Sequence, residues 1–121
     1  MDPYEYAFKC FGGKWKTLIL HGIYVDKVAR FSTFKKHFSI SEKVLSQILK
    51  GLEADGLVKR SVFPEVTVRV EYELTSSGES LIVLMHQIYN WSRKEMLEKD
   101  IPIDSEGEKW HGYVNDPHLH G

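Results

Sequence analysis

Residues 41–55, Ser-Glu-Lys-Val-Leu-Ser-Gln-Ile-Leu-Lys-Gly-Leu-Glu-Ala-Asp, constrain this chain more than any other stretch. At about 100° per residue, Val44, Leu45, Ile48, Leu49 and Leu52 gather on one side of a helix. Lys43, Ser46, Gln47 and Lys50 gather on the other. The first face needs a surface to pack on. The second holds only side chains that can reach phosphates or base edges, with no acid at its centre. A helix packed on one face and carrying Lys, Ser and Gln on the other is what entry into a DNA major groove requires.

The flanking segments fit that reading. Phe31 to Phe38 forms a short helix that Ser32 can cap and that buries Phe31, Phe34 and Phe38. Ser39 with Glu42 makes a capping box for the next helix, and Ser41 is an equally good cap. Two short helices joined by about four residues give helix-turn-helix spacing. Asp55-Gly56 closes the second helix, with Gly56 suited to the left-handed terminal position. Leu57–Phe63 and Arg69–Leu74 alternate as strands around a tip at Pro64–Val68, with Val70, Tyr72 and Leu74 facing inward. A hairpin directly after such a helix is a wing whose tip can lie along the neighbouring minor groove.

The outer segments predict further helices. Residues 4–11 are aromatic and end at Gly12-Gly13, a helix stop. Lys14–Tyr24 resumes helical spacing, with Trp15, Leu18, Ile19 and Ile23 on one side. Thr75, or a Ser76–Glu79 box, opens a helix running to roughly Lys99. Its apolar residues spread over more than one stripe, and one small core cannot cover them together with the aromatic start. The economical arrangement is a two-fold dimer of first and last helices, with Tyr4, Phe8, Phe11, Leu84, Ile88 and Trp91 at the seam. The expected fold is mainly α with a small β-hairpin (α+β), a winged helix-turn-helix dimerising through its N- and C-terminal helices. Residues 1–99 form the domain, and 100–121 an acidic, His-containing tail in which Trp110 and Tyr113 can dock back.

A chain of 121 residues, 42% hydrophobic, can bury one good core. No apolar run long enough to span a membrane occurs, and Met1-Asp2-Pro3-Tyr4-Glu5 lacks the features of a signal peptide. With the single Cys10 excluding an intrachain disulfide, a cytoplasmic location is expected. The net charge of −1 hides an asymmetry: residues 1–26 are neutral, residues 27–69 carry +5 and residues 70–121 carry −6. Because charges act over a Debye length of about 10 Å, the local basic surface matters to DNA more than the total does.

Six blocks resemble the HxlR-type transcriptional regulators in order and spacing. They are Gly12-Gly13-Lys14-Trp15-Lys16, Arg30-Phe31-Ser32, Ile40-Ser41-Glu42-Lys43-Val44-Leu45, Leu52-Glu53-Ala54-Asp55-Gly56-Leu57-Val58, Phe63-Pro64-Glu65-Val66 and Arg69-Val70-Glu71-Tyr72-Glu73-Leu74-Thr75. The resemblance spans about residues 3–95 and implies a homodimeric winged helix-turn-helix protein. It further implies binding to operator DNA in a prokaryotic cell, without catalytic activity. Three positions depart from the family pattern. Asp2-Pro3 stands where a Cys-Pro pair is common, so a thiol switch at that position is absent. Thr67-Val68 replaces Pro-Pro at the wing tip, which loosens it. Ala29 stands where Lys is frequent and removes one phosphate contact.

Lys43, Ser46, Gln47 and Lys50 are therefore the candidate base readers, with Gln47 suited to adenine and Lys43 to guanine. Ser41 can offer its hydroxyl and backbone N–H to a phosphate. Arg30, Lys35, Lys36, Arg60 and Arg69, with Ser32 and Thr67 beside them, are candidates for phosphate or minor-groove contact. Cys10 reads better as packing than as a redox sensor. Glu71 and Glu73 point outward toward basic partners, while His21, His37 and His86 sit in separate helices as surface or core residues. His111, His118 and His120 can chelate loosely, but no dedicated metal site or cofactor is expected, and no catalytic signature is present. Two other functions compete with operator binding. One is a protein-interaction module using the acidic C-terminal half; the other is a regulator sensing a small-molecule effector at the dimer seam.

Overall fold

The computed structural model describes residues 1–104, which form helices around a small antiparallel sheet. The elements are α1 (Pro3–Phe11), α2 (Lys14–Asp26), β1 (Ala29–Arg30), α3 (Phe31–His37), α4 (Glu42–Ala54), β2 (Val58–Phe63), β3 (Arg69–Leu74) and α5 (Ser76–Glu98). The strand order is β1-β3-β2. This is the winged helix-turn-helix arrangement, with β2 and β3 as the wing.

Local chemistry sets the boundaries. Asp2 starts α1 by accepting from the Tyr4 and Glu5 amides at 2.8 and 3.3 Å, with Pro3 at the first helical position. Gly13 (φ 87°) then turns the chain into α2. Of the two candidate caps for α4, Ser41 is the one used, its hydroxyl 3.2 Å from the Val44 amide. Thr75 caps α5 by accepting from the Gly78 amide at 3.1 Å. Ser32 does not cap α3. That helix already begins at Phe31, its cap position is Arg30, which makes no side-chain cap bond, and Ser32 lies in the first turn. The preceding strand β1 runs directly into the helix, so the cap position falls on Arg30, two residues before Ser32.

α2 is the hub. Leu18 through Ile23 are all buried, and the helix packs against α5, β3, α4 and β1. Its sequence marks one apolar side, but Leu20 and His21 are enclosed as well because partners surround it. On α4, Leu45, Leu49 and Leu52 carry the packing and Ile48 is half-buried, whereas Val44, expected on the packed side, lies in the first turn and is 39% exposed. Full burial of an aliphatic side chain contributes about 1.5–3 kcal/mol, against about 1 kcal/mol for a cap such as Ser41. Packing holds α4 in place; the cap decides where it starts. On the sheet, Tyr72 is buried while Val70 and Leu74 are half-buried against the core.

His21 and His86 meet inside the core, His86 Nε2 lying 3.4 Å from His21 Nδ1, so both are core residues. The two-residue β1 pairs Ala29 with Tyr72 and Arg30 with Glu71. The sequence predicts a hairpin alone, since two residues are too few to display alternation. Among the described residues no helix is long and apolar enough to cross a membrane. The tail expectations, docking of Trp110 and Tyr113 and the grouping of His111, His118 and His120, lie outside the described residues.

Candidate nucleic-acid interface

Three elements converge on one side of the molecule: α3, α4 and the wing. Packing of Leu45, Leu49 and Leu52 turns the other side of α4 outward, so Lys43, Gln47 and Lys50 are exposed and Ser46 is half-buried. Ser41 is exposed at the start of this helix, where amide dipoles add their positive end. Arg30, Ser32 and Lys36 are exposed on the neighbouring strand and helix, and Arg60 and Thr67 on the wing.

A groove of about 620 Å³ runs between α3, the first turn of α4 and the wing tip, bordered by Arg30, Ser32, Lys35, Glu42, Thr67 and Arg69. A second notch of about 350 Å³ lies between α4 and the sheet, where Ser46, Lys50 and Arg60 converge beside Glu53. Five of the cationic side chains expected at DNA thus gather at two depressions, Arg30, Lys35 and Arg69 at the first and Lys50 and Arg60 at the second, although the sequence spreads them over forty positions. Neither depression encloses the apolar shell of a small-molecule site. Both carry cations beside acids: Arg30, Lys35 and Arg69 with Glu42 and Glu65 in the first, Lys50 and Arg60 with Glu53 in the second.

Two of the candidate residues are held by the protein itself. Lys35 is half-buried and donates from Nζ to the Ile40 carbonyl at 2.5 Å, fixing the turn before α4. Arg69 lies with its guanidinium 4.2 Å from the centre of the Phe63 ring. Its Nη2 is 3.4 Å from Glu65 Oε1 and its Nε is 3.2 Å from Glu71 Oε1. The Nε contact is an ion pair without the alignment of a hydrogen bond. The outward acids pair as expected: Glu71 with Arg69, and Glu73 with Lys59 at 3.9 Å. The cross-strand stacking of Phe63 with Arg69 and the use of Lys35 on a backbone carbonyl have no signature in residue spacing.

Away from this surface, Tyr4, Phe8, Leu84, Ile88 and Trp91 are exposed on α1 and α5. Phe11, expected with them, instead packs partly against the core. Cys10 is buried, and its thiol raises the Tyr6 phenol pKa, chiefly by hydrogen bonding. Among the described residues no three His, Cys, Asp or Glu side chains gather as a metal-holding group.

A model of the HxlR-like helix-turn-helix family matches residues 10–100. An uncharacterised HTH-type transcriptional regulator of Halalkalibacterium halodurans is 40% identical over 93 residues, covering 76% of this chain and 82% of that protein. Among solved structures, the redox regulator HypR in its oxidised form superposes with a TM-score of 0.69 at 35% identity, over 77% of this chain and 96% of that one. The reduced transcriptional regulator YodB of B. subtilis superposes with a TM-score of 0.65 at 36% identity, over 76% and 91% of the two chains.

Proposed function

The chain belongs to the HxlR-like helix-turn-helix family of DNA-binding transcriptional regulators, and from that premise we propose how it engages an operator. Two copies associate through α1 and α5 and place their α4 helices in successive major grooves, about 34 Å apart or a multiple of that. Lys43, Ser46, Gln47 and Lys50 meet base edges. Ser41, Arg30, Ser32, Lys36 and Arg60 hold phosphates, and the wing tip around Thr67 follows the minor groove. The protein acts in the prokaryotic cytoplasm and carries out no catalytic step. The observation that carries this reading is the outward face of α4: three exposed side chains, Lys43, Gln47 and Lys50, on a helix locked from behind by three buried leucines.

The test is selection of duplexes from a random DNA pool, followed by fluorescence anisotropy across a salt series. A two-fold symmetric site and an affinity falling steeply with salt are expected. A protein that binds no duplex even at low salt would leave the protein-interaction reading in its place.

A half-open depression of about 420 Å³ between α2 and α5, lined by Tyr24, Glu79, Ile82, Val83, His86 and Gln87, supports an effector input in addition, although it lies within one protomer and not at the α1–α5 seam. It mixes apolar walls with a few polar groups, the composition of small-molecule sites. Thermal shift against a metabolite panel checks it, because a ligand of the native state must raise the melting temperature.

A further inference from the structure

We infer that Arg69 is a positioning residue for the wing and does not itself touch DNA. The inference rests on the DNA-binding reading above and changes which wing atoms do the binding. Phe63 and Arg69 are paired across β2 and β3 at the last rung of the hairpin, and residues 64–68 form the tip between them. The Arg69 guanidinium covers the Phe63 ring at 4.2 Å. One edge faces Glu65, inside the tip, and another faces Glu71, two residues along its own strand. The side chain is 29% exposed. One planar cation therefore joins the tip, the rung below it and the strand.

That bracing matters here because the tip has few other holds, among them the Glu65 amide donating to the Phe63 carbonyl at 2.9 Å. Thr67 and Val68 are both exposed, Val66 is fully exposed, and Pro64 is the one proline in the tip. With Arg69 occupied by two carboxylates, residues 64–68 present a hydroxyl, backbone amides, valine methyls and the half-exposed Glu65 carboxylate to a groove, and no cation. Reaching a phosphate would require Arg69 to leave a ring and two acids together. A wing of this kind contacts DNA with little counterion release, so its contribution depends on shape more than on salt.

The experiment compares wild type with Arg69→Lys, Arg69→Gln and Phe63→Leu on one selected duplex across a salt series. Amide hydrogen exchange over residues 62–70 is followed in the free proteins. A planar guanidinium stacks and bridges in a way an ammonium cannot. All three variants should therefore lose about fivefold in affinity, keep the wild-type slope of log affinity against log salt, and exchange faster in the tip. Phe63→Leu retains the charge, so it separates bracing from charge if an Arg69 variant folds poorly. If Arg69→Lys binds like wild type and Arg69→Gln lowers the slope by about 0.9, Arg69 is a phosphate contact and the inference is overturned. Unchanged exchange over residues 62–70 overturns it as well, whatever the DNA result. Absence of DNA binding by the wild type sinks the DNA reading, and the exchange experiment still decides whether Arg69 braces the wing.

Discussion

Lys9 Nζ lies 3.1 Å from Asp55 Oδ1, an ion pair that ties α1 to the C-terminal cap of α4 across 46 positions of sequence. Asp55 sits at the negative end of the helix dipole, where a carboxylate is unfavourable by itself. Lys9 offsets that. The proposed dimerisation helix is in this way fastened to the end of the helix that enters the groove.

Replacing the two partners should therefore have unequal effects. Lys9→Met leaves Asp55 unpaired at the wrong helix end and should destabilise the fold, whereas Asp55→Asn removes both the pair and the clash and should cost less. The pair raises the Lys9 pKa, first through the hydrogen bond to Asp55 and then through its charge. A raised folded-state pKa means that the contribution is complete below the unfolded lysine value, about 10.4, and is lost as pH climbs through the higher folded value. Urea titrations from neutral to strongly alkaline pH should show the gap between wild type and Lys9→Met closing only above that point. A gap independent of pH would exclude the ion pair as its cause. Because Lys9 is exposed, high salt should narrow the gap too.

The reading face gives a prediction about specificity. Lys43→Ala and Gln47→Ala remove groups proposed to meet base edges, and each should reduce discrimination against the wrong base by about 1–3 kcal/mol. Arg60→Ala, a proposed phosphate contact, should weaken all sequences alike and lower the salt slope by about 0.9. Competition titrations with single-base variants of the selected site separate the two patterns. If Gln47→Ala leaves the ranking of variants unchanged, Gln47 reads no base.

How far the fold was legible follows from where the information sits. The faces of α4, the glycine stop at Gly56 and the inward Val70, Tyr72 and Leu74 are local periodicities, and the structure contains them except at Val44, which the first turn of α4 leaves exposed. The enclosure of Leu20 and His21 on α2 was not legible, because it depends on which elements surround that helix. Strand β1 leaves no local signature for the same reason: its two residues are defined by pairing with Tyr72 and Glu71. At the candidate site, exposure could be foreseen for Lys43, Gln47 and Lys50. The internal engagement of Lys35 and Arg69 could not, since a cation's partner is fixed only once the chain has folded.

The exposed apolar strip on α5 predicts self-association. Leu84, Ile88 and Trp91 are 54%, 47% and 67% exposed, at the spacing of one helical face, and Phe8 on α1 is 62% exposed. Trp91→Asp places a charge where the proposed seam is dry, so it should convert the proposed dimer to monomer and lose most DNA affinity, while the monomer keeps its helical content. Sedimentation equilibrium of the two proteins checks it. A wild type that sediments as a monomer at micromolar concentration contradicts the seam.

Two glycines in helices should respond to alanine with opposite signs. Gly78 lies in the first turn of α5, where an added Cβ would fall 2.2 Å from the Leu57 carbonyl oxygen. That oxygen already accepts the Thr75 amide at 3.0 Å, and Thr75 Oγ1 donates to the Gly56 carbonyl at 2.6 Å. The corner between the start of the wing and the start of α5 is closed by backbone, which cannot yield as a flexible side chain can. Gly78→Ala should thus destabilise by about 1–3 kcal/mol, more than the roughly 1 kcal/mol expected when Thr75→Ala removes the cap. Gly51, inside α4, has open space where its Cβ would stand. There alanine relieves the entropy cost of a mid-helix glycine and should stabilise by about 0.5–1 kcal/mol. Urea midpoints at constant m-value decide both signs. If Gly78→Ala melts like wild type, the corner between Leu57 and Gly78 is looser than a 2.2 Å approach permits.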